Sequence, residues 1–307
     1  METLMKTGRA ATAVASPAQL ARLAAALPAL VLTGAGISAG AGIPTYRDCE
    51  GKWLRSDPIT HQEFVADASQ RQRYWGRSLL GWPAVRDARP GIAHRLLVTL
   101  QARGHLTRVV TQNVDRLHQR AGSADVIDLH GRLDRVRCLA CEHDSCREHI
   151  QSRLLRLNPQ ISAEAARARP DGDADLPDSA VECVRVPECE RCGGMLMPDV
   201  VFFGGRIPGQ RVRDSKLALE RSRSLLIIGS SLQVYSGYRF CRWAEELDKP
   251  LFIINPGRTR ADDRVCEKIS APAEESLQQL LTLLDATDLP AAQQSGPATT
   301  DHGVRDY

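Results

Sequence analysis

Short apolar runs recur along the chain, and glycine or polar residues follow each of them. Leu30–Leu32 leads into a glycine-rich loop, Val109–Val110 leads into Thr111–Asp115, and Val126–Leu129 leads into His130. The same order returns at the later runs Val200–Phe203, Leu225–Ile228 and Phe252–Ile254. Runs that are this short and do not alternate with polar residues are typical of strands buried on both faces of a parallel sheet.

Stretches with helical spacing separate the predicted strands. Apolar residues at positions 92, 93, 96, 97 and 100 predict a helix over Ile92–Arg103, which Gly104 ends. Ser16-Pro17 predicts an earlier helix start, and His61–Arg86 has a helical pattern without strand-like alternation. Strands that alternate with helices predict an α/β fold with a Rossmann-like parallel sheet, in which ligands bind at the carboxyl ends of the strands.

The loop after the first predicted strand carries glycines at positions 34, 36, 40 and 42. Successive backbone N–H groups in such a loop can hold a pyrophosphate, because Gly34 and Gly36 have no Cβ to intervene. The spacing Gly34-x-Gly36-x-x-Ala39 fits a relaxed dinucleotide fingerprint, although glycine-rich loops also serve only to turn a chain. Pro44 interrupts the helix expected after such a fingerprint, and the polar cluster Thr45–Asp48 predicts a loop that covers a substrate.

Charge and hydropathy exclude two classes of partner. The chain of 307 residues has a net charge of +3 and a pI near 8.4, which is too mild a basic balance to predict nucleic-acid binding. Its longest apolar stretches, such as Leu225–Ile228 and Leu251–Ile254, are far shorter than the roughly twenty residues that span a bilayer. We therefore expect a soluble protein that binds neither nucleic acid nor membrane.

Two cysteine pairs predict a metal site. Cys138-x-x-Cys141 and Cys189-x-x-Cys192 have the spacing of two knuckles that close on one tetrahedral zinc ion. Four thiolates leave no ligand position open for water or substrate, so this zinc would be structural. The alternatives are unrelated thiols or a redox pair, and Cys146 or Cys183 could replace one of the ligands.

The motifs of the chain, and their order along it, resemble those of the sirtuin family. They are Gly-Ala-Gly-Ile-Ser with Gly-Ile-Pro-x-Tyr-Arg, Thr-Gln-Asn-Val-Asp, Leu-His-Gly, the two Cys-x-x-Cys pairs, Pro-Asp-Val-Val-Phe-Phe-Gly, Gly-Ser-Ser-Leu-Gln-Val and Ile-Asn-Pro-Gly. The resemblance spans about Leu30 to Leu284. Arg71–Arg77, Gly81-Trp-Pro and Gln233–Arg239 further resemble the class II branch, which includes the mitochondrial sirtuin four.

The resemblance implies a domain organisation. An N-terminal extension and helix would cover residues 1–27, the catalytic domain 28–286, and a disordered tail 287–307. Within the catalytic domain, the Rossmann-like core would comprise about 28–53, 90–135 and 195–286, the inserted helical module about 54–89, and the small zinc-binding module about 136–194. Residues 1–27 lack a secretory signal, which favours the cytoplasm, and a mitochondrial transit segment stays an alternative.

The resemblance also implies an activity. Sirtuins use NAD to remove acyl groups from protein lysines and release nicotinamide, O-acyl-ADP-ribose and free lysine. The implied cofactors are therefore NAD and one structural zinc ion, and the implied partners are proteins that carry acylated lysines. Two alternatives are open: a protein mono-ADP-ribosyltransferase, and a non-catalytic module that binds NAD or ADP-ribose.

The implied NAD site draws on every glycine-rich or polar segment at the ends of the predicted strands. Phosphate contacts would come from Ala35, Gly36, Ser38, Arg47, Gly229 and Ser230. Tyr46 would cover the nicotinamide ribose, Ile43 and Asp115 would bind nicotinamide, Gln112 and Asn113 would order the ribose hydroxyls, and Asn255 would meet the adenosine ribose. Gly34, Thr45, Ser231, Pro256, Gly257 and Ala273 complete the set.

His130 is the predicted general base, with Asn113 beside it. A histidine at the ligand edge of the sheet titrates near neutral pH, so its neutral form can accept a proton from a ribose hydroxyl. The alternative for a single histidine is a structural role in packing. Its place between two matched motifs favours catalysis.

The implied peptide site lies between two segments of chain. The acyl-lysine peptide would pair as an added strand between Val201–Phe203 on one side and Leu232–Tyr235 on the other. The substrate-binding residues would be Val201, Phe202, Phe203, Leu232 and Val234.

In the helical module, Tyr74 and Arg77 lie three residues apart and share a helix face. They resemble the pair by which a related sirtuin class binds acidic acyl chains. The alternative is a solvated Arg77 beside Arg71 and Arg73.

Overall fold

The computed structural model describes residues 14–45, 48, 50, 58–161 and 183–288. Its strands are β1 Ala29–Thr33, β2 Leu106–Thr111, β3 Ile127–Asp128, β4 Gly131–Cys138, β5 Asp144–Cys146, β6 Leu196–Val200, β7 Ser224–Ile228, β8 Leu251–Ile254 and β9 Glu267–Ile269. Its α-helices are α1 Pro17–Ala25, α2 His61–Ala66, α3 Ala68–Asp87, α4 Ile92–Ala102, α5 Leu117–Ala121, α6 Arg147–Leu157, α7 Gly209–Glu220, α8 Tyr235–Glu246 and α9 Ala273–Asp288. A 3₁₀ helix covers Ala35–Ala41. Among these helices, none is both long and apolar enough to cross a membrane.

Six strands form one parallel sheet in the order β3-β2-β1-β7-β8-β9. Every neighbouring pair in it is parallel, which confirms the predicted α/β fold. The strands run outward in one direction from β1 to β3 and in the other from β7 to β9. The order therefore reverses between β1 and β7, and this is where an open α/β sheet binds its ligands.

Helices cover both faces of the sheet, and this explains the unbroken apolar runs. In β1, Ala29 and Val31 pack into one core with α1, α4 and α9, whereas Leu30 and Leu32 pack into a second core with α7 and α8. All four side chains are fully buried. A strand with a core on each side has no solvent face that would require polar residues.

The N-terminal helix belongs to the body of the domain. Ser16 caps α1 in a reciprocal capping box with Gln19, as the Ser16-Pro17 pair predicts. Leu20 and Leu23 then pack into the core with α9. The Gln19 side chain also donates a hydrogen bond to the carbonyl oxygen of Lys268 at 2.9 Å, so α1 is tied to β9.

The predicted helical segment forms α2 and α3, which pack on the cysteine-bearing part of the chain. The antiparallel sheet β5-β4-β6 and α6 share a core with Phe64 and Trp75 of these helices. At the centre, the buried guanidinium of Arg147 lies 5.5 Å from the ring centre of Trp75 and 5.3 Å from that of Trp82. It also donates to the carbonyl oxygen of Ser78 at 3.1 Å, so α6 is held to α3. We call these elements together the small lobe.

The prediction of a parallel strand at Val200–Phe203 is wrong. The strand β6 ends at Val200 and pairs antiparallel with β4, outside the large sheet. Val201–Phe203 continues as extended chain: the N–H of Val201 donates to the His130 carbonyl at 2.7 Å, and Phe203 bridges to Thr60. The apolar run is the same in either setting, so its pattern does not distinguish the two sheets.

The loops that follow β1 and β7 touch backbone to backbone. The N–H of Gly36 donates to the carbonyl of Gly229 at 2.8 Å. A Cβ on Gly36 would lie 2.7 Å from the Gly229 Cα, and a Cβ on Gly229 would lie 2.5 Å from the Ile37 nitrogen. Gly229 also has a φ of +63°. Both positions therefore require glycine.

We predict that Gly229→Ala destabilises the protein more than Gly104→Ala does. Gly104 also has a positive φ, +77°, but a Cβ there would meet nothing within 4 Å. Strain alone predicts a loss of about 1–2 kcal/mol for Gly104→Ala. The clash at Gly229 should add about 1–3 kcal/mol, measured by urea unfolding. Equal losses would contradict the close contact between the two loops.

Candidate active site

A cleft of about 1570 Å³ opens where the strand order reverses. The carboxyl ends of β1, β2, β7 and β8 all contribute residues to its wall. Predicted NAD residues that line it are Ala35, Gly36, Thr45, Gln112, Asn113, His130, Gly229, Ser230, Ser231, Asn255, Pro256, Gly257 and Ala273. Predicted substrate residues that line the same cleft are Tyr74, Arg77, Val201, Phe202, Phe203 and Val234.

A small recess adjoins the cleft and contains the residues predicted to bind nicotinamide. Ile43 and Asp115 line it together with Ser38, and Asn113 lines both the recess and the cleft. The Ser38 hydroxyl donates to Asp115 at 2.8 Å, and the Asn113 amide donates to the Ser38 oxygen at 3.0 Å. Burial raises the pKa of Asp115, while hydrogen bonds from Leu117 and Ser38 oppose that rise.

The glycine-rich loop does not present its N–H groups in the way we predicted. The N–H of Gly34 donates to the Ile228 carbonyl at 3.0 Å, and the N–H of Gly36 donates to the Gly229 carbonyl. Both donors are already used within the protein, because the two loops are in direct contact. Gly34 itself does not line the cleft: a Cβ there would lie 2.8 Å from the Gly229 oxygen.

Among the described residues, Leu232 is a further predicted residue that does not line the cleft. The side chain of Leu232 is 2% exposed and packs in the core beneath α8, so only its backbone could pair with a peptide. Tyr46 and Arg47 lie outside the residues that the structure describes, so their predicted contacts with NAD stay predictions.

His130 lies between β3 and β4 with its ring in the cleft wall. Its Nδ1 is 3.0 Å from the Gln112 carbonyl oxygen, and its Nε2 is 2.8 Å from the Ser236 hydroxyl. Burial lowers the pKa of His130 to about 4, and the nearby cations Arg211 and Arg239 act in the same direction. The expectation that it titrates near neutral pH is wrong, but its neutral form prevails at pH 7 as a base requires.

One buried donor in the cleft wall suits a polar ligand. The Gln112 Nε2 has no hydrogen-bond partner among the described residues, although its Oε1 accepts from Ser230 at 3.1 Å. A buried donor without an acceptor costs free energy that a ligand oxygen would recover. A ribose hydroxyl is such an oxygen, so this wall fits the sugar of a dinucleotide.

Several cleft residues were not predicted as site residues, although two of them lie in the Gln233–Arg239 stretch that resembles the class II branch. Ser236 and Arg239 lie on the first two turns of α8, Arg213 lies on the second turn of α7, and Arg206 and Arg258 lie in loops. None belongs to a motif with a chemical reason for its spacing. Their place in the cleft follows from the packing of α7 and α8 against the sheet and from the course of the loops that carry Arg206 and Arg258.

Arg77 is buried in the cleft wall. Only 5% of its surface is exposed, and Tyr74 one turn earlier on α3 is 9% exposed. Tyr74 packs edge-on against Phe202, with ring centres 5.2 Å apart. The alternative of a solvated Arg77 on the outer face of the helix is therefore wrong.

The cysteines of the two knuckles meet at one point of the small lobe. The sulfurs of Cys138, Cys141, Cys189 and Cys192 all lie within 4.8 Å of one another. Two of the separations are 3.5 and 3.8 Å. A zinc ion about 2.3 Å from each of four sulfurs requires separations of about 3.8 Å, so the cluster fits zinc. Cys146 and Cys183 are exposed and stand outside the cluster.

Comparison with known proteins identifies the family. The family model described as Sir2 family matches residues 34–236. An NAD-dependent protein deacetylase of Bordetella bronchiseptica is 49% identical over 252 residues, covering 82% of this chain and 92% of the relative. One of Xanthomonas axonopodis pv. citri is 49% identical over 270 residues, covering 88% and 91%.

The chain belongs to the Sir2 family. Solved structures agree: a Sir2–p53 peptide–NAD+ complex is 27% identical, with a TM-score of 0.68 over 89% of this chain and 100% of that one. Sir2Tm bound to a propionylated peptide is also 27% identical, with a TM-score of 0.69 over 88% and 99%. The sirtuin resemblance of the motifs is confirmed at the level of the family.

The backbone of this Sir2-family chain is fitted closely around its cysteines. A Cβ on Gly194 would lie 3.0 Å from the Cys138 sulfur and 3.1 Å from the Cys192 sulfur. The Gly194 carbonyl accepts from the Cys189 N–H at 2.9 Å, which closes the second knuckle. The cluster stands away from the cleft, so a zinc ion there would hold structure.

We predict that Cys138→Ser or Cys192→Ser lowers bound zinc below one per chain. The melting temperature should fall as well, because zinc binding contributes to the folding of small metal modules. Elemental analysis and thermal unfolding measure the two effects. Cys146→Ser is the matched control and should retain both zinc and stability. A Cys192→Ser protein with full zinc would contradict the assigned ligands.

Proposed function

We propose that this Sir2-family chain is an NAD-dependent protein lysine deacylase. It would remove acyl groups from protein lysines and yield nicotinamide, O-acyl-ADP-ribose and free lysine. The observation that carries the proposal is the neutral His130 in the wall of a cleft that also contains the Asp115 recess. Relatives at 49% identity that are NAD-dependent protein deacetylases support it.

NAD, when bound, supplies the ADP-ribose that accepts the acyl group. The residues of the chain then have separate tasks. Ser38, Ile43 and Asp115 hold nicotinamide in the recess, and Gln112 and Asn113 orient the ribose. The loops after β1 and β7 would hold the phosphates at Ala35, Gly36, Gly229 and Ser230, where Gly36 gives close approach and not a donor, because its N–H is already used by Gly229. The loop after β8 would hold the adenosine at Asn255.

His130 accepts a proton from a ribose hydroxyl. Its Nδ1 faces a carbonyl oxygen, which leaves the Nε2 lone pair as the proton acceptor. The low pKa keeps this lone pair available over the neutral pH range. A base of low pKa is a weak base, so its contribution depends on close contact with the hydroxyl more than on its proton affinity.

The first test combines NAD and acetylated peptide. Wild type should form O-acetyl-ADP-ribose, detected by mass spectrometry. His130→Ala should lose activity by about a hundredfold or more, because a general base typically contributes that factor. NAD binding, measured by calorimetry, should persist.

The control is His149→Ala, a histidine exposed on α6. It should leave turnover unchanged. Near-normal turnover of His130→Ala would contradict the role of the base. ADP-ribosylated peptide in place of the acyl product would indicate the alternative transferase, and NAD binding without any product would indicate the non-catalytic module.

We further propose that the chain belongs to the class II branch and favours acidic acyl chains. Tyr74 and Arg77 stand on one face of α3 and line the cleft beside Phe202. A guanidinium in such a setting gains most from a carboxylate, which it can bind through charge-assisted, bidentate hydrogen bonds. Aromatic neighbours exclude water from that pair.

We predict that Arg77→Met removes this preference. The change retains much of the side-chain volume but removes the charge. The kcat/KM ratio of glutaryl or hydroxymethylglutaryl peptide to acetyl peptide should fall by about tenfold or more, the value of one charge-assisted hydrogen bond. The matched control is Arg73→Met on the same helix, which should leave the ratio unchanged. An unaltered ratio in Arg77→Met would exclude Arg77 from acyl recognition.

The protein substrate would pair along the two segments that line the cleft. Val201–Phe203 offers extended backbone on one side of the cleft. On the other side Val234 is extended, whereas Leu232 has a φ of +58°. Pairing through backbone tolerates many sequences. The cytoplasmic location stays a prediction. It is supported by the eight cysteines that the structure describes, all of them free.

A further inference from the structure

The hydrogen bonds of His130 fix which ring nitrogen carries the proton. Nδ1 lies 3.0 Å from the Gln112 carbonyl oxygen, and a carbonyl oxygen can only accept. Nδ1 therefore carries the hydrogen, and the lone pair of the neutral ring is on Nε2. The Ser236 oxygen lies 2.8 Å from Nε2, so the serine hydroxyl donates to that lone pair.

The first turn of α8 brings Ser236 to the ring. Ser236 is the second residue of this helix and lines the cleft. At the next position, a Cβ on Gly237 would lie 2.2 Å from the Gln112 Nε2, so glycine allows the turn to lie against the Gln112 side chain. One helical turn thus contacts both His130 and the residue that holds its other nitrogen.

We propose that Ser236 is a positioning residue for the base. In the free enzyme its hydroxyl holds the His130 ring in the Nδ1–H tautomer and keeps Nε2 directed into the cleft. A substrate hydroxyl then replaces the serine at the same lone pair. The catalytic consequence of this proposal rests on the proposed function of His130 as the base. The hydrogen bond between Ser236 and His130 is a property of the free protein.

The influence of nearby charged groups on the pKa of His130 must be distinguished from that of the Ser236 hydroxyl. Arg211 on α7 and Arg239 on α8 are the cations that act on His130. Asp128 and Asp199, on the adjoining strands β3 and β6, form ion pairs with arginines. Ser236→Ala leaves all of these groups in place. A shift in the pKa of His130 in that variant therefore measures the effect of the lost hydroxyl.

The decisive measurement is NMR of the free protein labelled with ¹⁵N-histidine. Wild type should show the Nδ1–H tautomer. In Ser236→Ala the pKa of His130 should rise by about 0.5–1 unit, because the neutral ring loses a donor worth about one ordinary hydrogen bond. Ser236→Thr, which retains a hydroxyl, should restore the wild-type value. The matched control, Ser152→Ala on α6, removes a helical serine hydroxyl that bonds the Glu148 carbonyl and should cause no shift.

Kinetics give a second readout. The acid limb of the pH profile of kcat/KM reports the pKa of the base in the free enzyme. In Ser236→Ala this limb should move to higher pH by the same amount as the pKa measured by NMR. A purely structural role would lower activity at every pH and would not move the limb. An Nε2–H tautomer in wild type, or an unshifted pKa in Ser236→Ala, would overturn the proposal. Absence of deacylase activity in wild type would instead overturn the proposed function, and the NMR result would still decide the role of Ser236.

Discussion

The contact between the loops after β1 and β7 is the constraint on which the cleft depends. Gly36 and Gly229 meet backbone to backbone at the point where the strand order reverses, and neither position has room for a side chain. This contact brings the ends of two separate halves of the sheet together. The walls of the cleft then follow from neighbouring strands: the loop after β2 supplies Gln112 and Asn113, and the loop after β8 supplies Asn255. The primary role of these glycines is therefore to let the two loops pack against each other, which forms the cleft that a ligand can enter.

Sequence patterns predicted those features that depend on local order along the chain. The buried strands β1, β7 and β8, the end of α4 near Gly104 and the four clustered cysteines were all accessible in this way. The failures share one cause, which is a dependence on distant partners. Val200–Phe203 has the composition of a strand in either sheet, and the pKa of His130 is set by burial that its own neighbours in sequence do not reveal. Arg77 was ambiguous for the same reason, because helical spacing alone does not show which face is buried.

Burial and hydrogen bonding have distinct effects on the chemistry of the cleft. Burial raises the pKa of Asp115 and lowers that of His130, so both groups are displaced towards their neutral forms. Hydrogen bonds then give each group a direction: Ser38 and Leu117 donate to the carboxylate, and the Gln112 carbonyl orients the imidazole. Burial thus disfavours the charged forms of Asp115 and His130, while the hydrogen bonds keep their acceptor atoms in fixed orientations.

The small lobe is assembled from two stretches of chain that are far apart in sequence. Its shared core joins Phe64 and Trp75 from α2 and α3 to Ile150 and Leu196, while α4, β2 and β3 of the large sheet lie between these stretches. Long-range closure of this kind is slow compared with local helix formation. Completion of the small lobe should thus come late in folding, after the sheet has brought the two stretches together. The four cysteines all lie on the second stretch, so zinc capture does not depend on this closure and can give Phe64 and Trp75 a formed surface on which to pack.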